Sequence, residues 1–253
     1  GRGASVSLER LLVVSHEATL TGAPMNLLHF ATWLRRSTSV EVHALLMQDG
    51  PLAHRFDEVV ETTVLDRGPA GALLGAAQQG LVALGSRRAW KPVAASRLRP
   101  QLRHLEDFDV VYLNSATSVG VLPYLPPARH VVSHVHELGV ALQGWRPPEL
   151  AEVFRTAPEL YIAASDAVHE ALVDVVGVEA ARIRVHHEFI DTRPFVDHTV
   201  SARDVEALRR SVRIPREAAV VMGAGTIDWR KGPDLFVQLA AEVRRRTRDE
   251  IHF

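Results

Sequence analysis

Leu11-Leu-Val-Val-Ser15 is a short run with no polar side chain until its last residue, set between the charged pair Glu9-Arg10 and a polar, small-residue stretch. A run of this kind is apolar on both faces, and a strand buried on both faces belongs to a parallel sheet covered by helices on each side. The following residues agree. Thr19 to Pro24 reads as a turn, Leu27, Ala31 and Leu34 recur at helical spacing, and Pro24 sits where a first helical turn tolerates it. Val40 to Leu46 reads as the next strand. Strand, tight turn, helix and strand make a βαβ unit, and repeating it builds an α/β domain with right-handed crossovers.

The unit does repeat. Asp109 to Leu113 ends in Asn114-Ser115, and His130 to His136 is another strand. Leu160 to Ala164 runs into Ser165-Asp166, an N-cap for a helix from Ala167 to Val175. Arg182 to His186 is a short strand ending at His187-Glu188. After Phe195 a polar segment leads to a helix around Val205 to Arg210. Ala218 to Met222 is then a new buried strand, followed by Gly223-Ala-Gly-Thr226, a helix from Pro233 to Arg246, and a strand beginning at Ile251. The chain therefore reads as a Rossmann-like domain over 1–195 and, over 196–253, a linker and the opening of a second one. A strand, a loop and one helix cannot bury a sheet face alone, so that second domain is expected to be truncated.

Composition narrows the classes of function. A formal net charge of -1 offers no global field for nucleic acid, and the absence of cysteine excludes disulfides and thiolate metal sites. No apolar run approaches the roughly 20 residues that cross a bilayer. A cytoplasmic protein is the expectation. Gly68 to Gly85, rich in Gly, Ala and Leu, shows helical spacing, and Arg87, Arg88, Lys91, Arg97, Arg99 and Arg103 follow it. That segment reads as a helix on the sheet with a solvated basic face, or as a surface over 68–103 for a membrane or an anionic acceptor.

Ligands of α/β proteins bind at the C-terminal ends of parallel strands, so polar residues there carry the chemistry. At the first tip, Gly22 and Ala23 open a helix whose free N–H groups suit a phosphate, although such a glycine also serves a plain bend. Gly223-Ala-Gly225 begins like a dinucleotide fingerprint, but Asp228 replaces its third glycine, which argues against a nicotinamide enzyme. What remains is a glycine-rich turn with Arg230-Lys231 beside a helix start, either a diphosphate clamp or an exposed basic pair. Lysine occurs only at Lys91 and Lys231. His134 and His136 stand at i and i+2 on one side of a strand. They could share a metal with Glu137 or His187, hydrogen-bond a ligand, or simply pack in the core.

Together these pieces resemble the family-4 retaining glycosyltransferases, which have the GT-B fold. The carriers are Thr21-Gly-Ala-Pro24, the strand ending His134-Val-His-Glu137, Ala163 to Val168, Val185-His-His-Glu-Phe-Ile-Asp191, and the stretch from Gly223 to Phe236. The resemblance implies a nucleotide-sugar donor, an acceptor that is a saccharide, a lipid-linked molecule or a small molecule, and no metal. His136 and Lys231 are the implied catalytic residues. Gly22, Ala23, Thr226, Arg230 and Lys231 would bind the donor, and Asn114 the acceptor. Thr226 stands where most members carry an arginine, and Ala23 where a second glycine is common. The paired glutamates that hold donor sugar and ribose in the family do not occur before Phe253. A non-catalytic acceptor- or partner-binding module is the alternative.

Overall fold

A computed structural model of the chain describes residues 8–65, 87–143, 148–190, 192–196, 199–225, 227 and 229–253. It divides into two compact units, Gly1–Phe189 and Ile190–Phe253, a boundary ahead of the linker read from the sequence at 196.

The first unit is built on seven parallel strands: β1 (Arg10–Ser15), β2 (Glu41–Leu46), β3 (Glu61–Val64), β4 (Val110–Leu113), β5 (His130–Val135), β6 (Leu160–Ala163) and β7 (Ile183–Val185). Their order is β3-β2-β1-β4-β5-β6-β7. Side chains alternate along a strand, so each central strand feeds two cores. Leu11, Val13, Ala44 and Leu46 join one, with Leu27, Leu28, Ala31 and Leu34 of helix α1 (Gly22–Ser37) and Phe56 of α2 (Ala53–Val59). Leu12, Val14, Leu45, Val111 and Leu113 join the other, with Ala94, Leu98 and Leu102 of α3 (Arg87–Leu102). A fully buried Leu or Phe contributes about 1.5–3 kcal/mol, so this two-sided burial is what holds the sheet.

Some elements were not expected. α2 and β3 form a further unit at one edge, and α4 (Gly139–Gln143) and α5 (Pro148–Thr156) lie between β5 and β6. The basic stretch after residue 86 is itself the helix α3, with Arg99 and Arg103 exposed at its end and Leu98 and Leu102 buried. The helix read from Gly68 to Gly85 lies outside the described residues. The helix after β6 is α-helical only over Asp166–Ala171 (α6), capped by Ser165 Oγ, and widens into a π turn over Leu172–Val176. Gly177 then ends it at φ 78°, the left-handed conformation that glycine adopts at least cost.

The second unit holds α7 (Arg193–Val196), α8 (Ala202–Ser211), α9 (Pro233–Arg246) and a parallel pair, β8 (Ala219–Val220) with β9 (Ile251–His252). No residue of α8 or α9 is buried, and Leu208, Leu235, Val237 and Leu239 stand exposed. Two short strands present too little surface to cover two amphipathic helices. Among the described residues, no helix is long and apolar enough to cross a membrane.

Candidate active site

The strand order reverses between β1 and β4, and doubly wound sheets bind ligands at that switch point, beyond the strands' C-terminal ends. Two of the tips singled out in the sequence, Ser15 to Ala23 and Asn114-Ser115, flank it. The third, after β5, is next to them.

Asn114 ties the three together. It is 1% exposed, and its Nδ2 donates to the carbonyl of Ala23 at 2.8 Å. A carbonyl only accepts, so the amide has one way round, and Oδ1 faces His136 Nε2 at 3.1 Å. Nε2 of His136 therefore carries a proton and donates it to Asn114. The other ring nitrogen, Nδ1, lies 2.5 Å from Glu188 Oε1, although the two do not align as a hydrogen bond. Beside them, the Glu137 carboxylate accepts the Ala116 N–H at 3.2 Å and the His136 N–H at 3.1 Å. Glu137 thus fastens the β5 tip to the 3-10 helix Ala116–Tyr124. Ser115 Oγ meets His16 Nδ1 at 2.9 Å, which closes the β1 and β4 tips against each other.

The glycine-rich loop leaves its helix start open. Thr21 stands at the N-cap of α1, but its hydroxyl is shared with Thr19 at 2.9 Å and Glu17 at 3.3 Å and caps no N–H. A Cβ on Gly22 would meet no protein atom within 4 Å, so the glycine leaves room on the ligand side that the fold itself does not need. Ala23 presents its carbonyl inward, to Asn114.

His134 and His136 do face one side, with ring centroids 4.2 Å apart, although β5 ends at Val135 and His136 follows it. His134 Nδ1 meets the Tyr112 hydroxyl at 2.7 Å, and burial, helped by His136 and His186, holds its pKa down to about 3. Burial likewise pushes the Tyr112 hydroxyl upward, with the Glu188 charge adding to it. The carboxylate brought to this pair is Glu188. Glu137 is spent on backbone N–H groups, and His187 is exposed, 3.9 Å from Asp166. Tyr112 and Glu17 were given no role from the sequence, and Glu188 was read there only as the end of a strand and part of a motif. Glu188 follows β7, so the strand-tip rule applied to the last strand reaches it.

In the second unit Gly223 is packed by the Phe236 ring, 3.3 Å from where a Cβ would stand, and Gly225 lies under the Lys231 side chain at 3.8 Å. Gly232, at φ 60°, turns the chain into α9. Lys231 is exposed. Arg230 lies in the 3-10 turn Trp229–Lys231, with its side chain outside the described residues, as is Thr226.

A doubly wound parallel sheet with its polar tips at the switch point, followed by a second Rossmann-like start, is the architecture of the GT-B glycosyltransferases. The chain belongs to Glycosyltransferase Family 4, whose profile matches residues 22–193, more than half of it. Among solved structures it is similar to Anabaena HepE in complex with UDP-glucose, at 17% identity and a TM-score of 0.64, covering 96% of this chain and 58% of that one. It is similar to the sucrose-phosphate synthase of Thermosynechococcus elongatus at 15% identity and 0.63, covering 93% and 60%. A glycosyltransferase from Rickettsia africae matches at 10% identity and 0.57, covering 98% and 68%. The chain thus spans about three fifths of the length of the first two. No curated protein matches it by sequence.

Proposed function

We propose that this chain carries the acceptor-side domain and the start of the donor-side domain of a retaining glycosyltransferase, which moves a sugar from a nucleotide-diphosphate donor to an acceptor hydroxyl. The observation that carries the reading is the meeting of the Gly22 loop, Asn114 and His136 at the switch point of a family-4 sheet. The complex of HepE with UDP-glucose, in a protein of the same fold, supports the class of donor.

In this reading the bond from the anomeric carbon to the diphosphate breaks as the bond to the acceptor oxygen forms on the same face. The acceptor's proton passes to the leaving diphosphate. The protein's task is to neutralise charge as it builds on that diphosphate and to hold the acceptor in line. Lys231 and Arg230, with Thr226 in the same turn, take the first part from the second unit. The N–H groups at Gly22 and Ala23 suit a donor phosphate as well, and no metal is required. His136 contacts the donor sugar, and the acceptor enters beside Asn114, whose own amide braces Ala23 and His136. Residues 68–103 rest against a membrane surface when the acceptor is lipid-linked, in a protein working in the cytoplasm.

The test is transfer by the complete protein from a panel of nucleotide sugars, with the anomeric configuration of the product read by NMR. Inverted product removes the retaining mechanism. A complete protein that binds nucleotide sugar and neither transfers nor hydrolyses it would leave the binding-module alternative.

A further inference from the structure

The groups around His136 fix one of its ring protons and leave one place unexplained. Asn114 Oδ1 accepts from His136 Nε2, so a neutral His136 has a bare lone pair at Nδ1, with a Glu188 carboxylate oxygen 2.5 Å away but off the line of a hydrogen bond. Two lone-pair groups that close repel each other unless a cation lies between them. A proton satisfies only this pair. It leaves His134 Nε2 buried and without a hydrogen-bond partner, on a ring whose centroid is 4.2 Å from that of His136. One ligand atom from each of His134, His136 and Glu188 lies within 4.8 Å of the others. Both imidazoles are also oriented from behind, His134 by the Tyr112 hydroxyl at 2.7 Å and His136 by Asn114 at 3.1 Å. Metal-bound histidines are held in this way, with the second ring nitrogen engaged by a neighbouring polar group.

We propose that His134, His136 and Glu188 form a binding site for one divalent transition-metal ion of the zinc class, and that an ion held there withdraws His136 from the donor sugar. Two nitrogens and one carboxylate oxygen select zinc-like ions over magnesium or calcium, which prefer all-oxygen shells. Tetrahedral bonds of about 2.0–2.2 Å separate ligand atoms by roughly 3.3 Å, so the carboxylate must back away from Nδ1. Glu188 can do this because its side chain is the most exposed of the three, 37% against 13% for His136. Its side of the site also leaves the fourth position to water. With Nδ1 on the metal and Nε2 on Asn114, neither nitrogen of His136 remains for a sugar hydroxyl. This second half rests on the role proposed for His136 above; the binding site itself does not.

The chain, stripped with chelator, is titrated with zinc by calorimetry and with cobalt by visible absorption. One ion should bind per chain, with the intense bands of tetrahedral cobalt. His134→Gln should abolish the bands while circular dichroism stays unchanged, Glu188→Gln should weaken binding at least about tenfold, and Tyr112→Phe should cost about 10–100-fold. No saturable binding, or an affinity in His134→Gln and Glu188→Gln equal to the parent's, overturns the site. In the complete protein, zinc should inhibit transfer and His134→Gln should relieve the inhibition. Saturable zinc binding with undiminished transfer overturns the inhibitory half. Zinc binding by a protein that transfers from no donor would leave the site standing and sink the glycosyltransferase reading instead.

Discussion

Asn114→Ala tests the centre of the site without any assumption about substrate. The side chain is 1% exposed and makes two contacts, Nδ2 to the Ala23 carbonyl and Oδ1 to His136 Nε2. Truncation removes both hydrogen bonds, whose other partners are half-buried. A hydrogen bond contributes about 0.5–1.5 kcal/mol net, so the loss should be about 1–3 kcal/mol. Against a typical total stability of about 5–15 kcal/mol, that moves a urea midpoint far outside error. The slope of the transition should not change, because the surface exposed on unfolding is nearly the same. Asn114→Asp sharpens the test. It restores an acceptor for His136 but sets an oxygen against the Ala23 carbonyl, so above the carboxylate's pKa it should be no more stable than the alanine variant. An alanine variant within about 0.5 kcal/mol of the parent would refute the reasoning, since that is the range of a substitution away from any such feature.

In the complete protein, Lys231→Ala should lower turnover by about 10²–10³-fold with little change in apparent donor affinity, because a contact to a developing anion costs about 2.7–4 kcal/mol in the transition state; steady-state kinetics reads the split. His136→Ala should still bind nucleotide in calorimetry but transfer slowly, and prolonged chelator treatment should not lower the parent's rate. Gly22→Val should leave the thermal midpoint in place, since nothing in the protein meets its Cβ, yet weaken nucleotide binding by crowding the helix start. Asp109 accepts the N–H groups of Arg10 and Glu9, which, with Arg129 nearby, hold its carboxyl below the usual range. A depressed carboxyl adds stability that is present above its unfolded value near 3.9 and lost as pH falls through the folded one. Acid unfolding of Asp109→Asn should therefore lack part of the parent's pH dependence.

The fold was legible where burial on both faces wrote itself as an unbroken apolar run. β1 has this form, and β2 keeps most of it around His43; the structure places both inside the sheet, their side chains divided between two cores. Edge elements were harder. β3 is Glu61-Thr-Thr-Val64, a strand with one neighbour and no fully buried residue, so nothing in its composition separates it from a loop. α3 was hidden by its arginines and two prolines. Its buried side rests on Ala94, Leu98 and Leu102, three apolar residues four apart in a stretch that otherwise reads as solvated charge.

The site was legible one strand tip at a time, and illegible in its connections. Strand ends and glycine turns pointed to Gly22, Asn114 and His136, but a sequence does not say which way an amide or an imidazole faces. The structure adds those directions, and they change what the residues can do. Asn114, read as a group offered to the acceptor, is turned inward and ties the Gly22 loop, through the Ala23 carbonyl, to the histidine. His136, read as a strand-tip group, is held at Nε2 by Asn114, and its Nδ1 faces no hydrogen-bond partner, with Glu188, 52 positions later, 2.5 Å away. For the metal alternative, the sequence offered Glu137 or His187 as a further ligand beside the two histidines. The Glu137 oxygens accept backbone N–H groups that fasten one strand tip to the next, and the carboxylate that the fold brings to the two imidazoles is that of Glu188. The strand-tip rule reaches Glu188, but only the three-dimensional arrangement sets it beside His136 and turns Glu137 to the backbone.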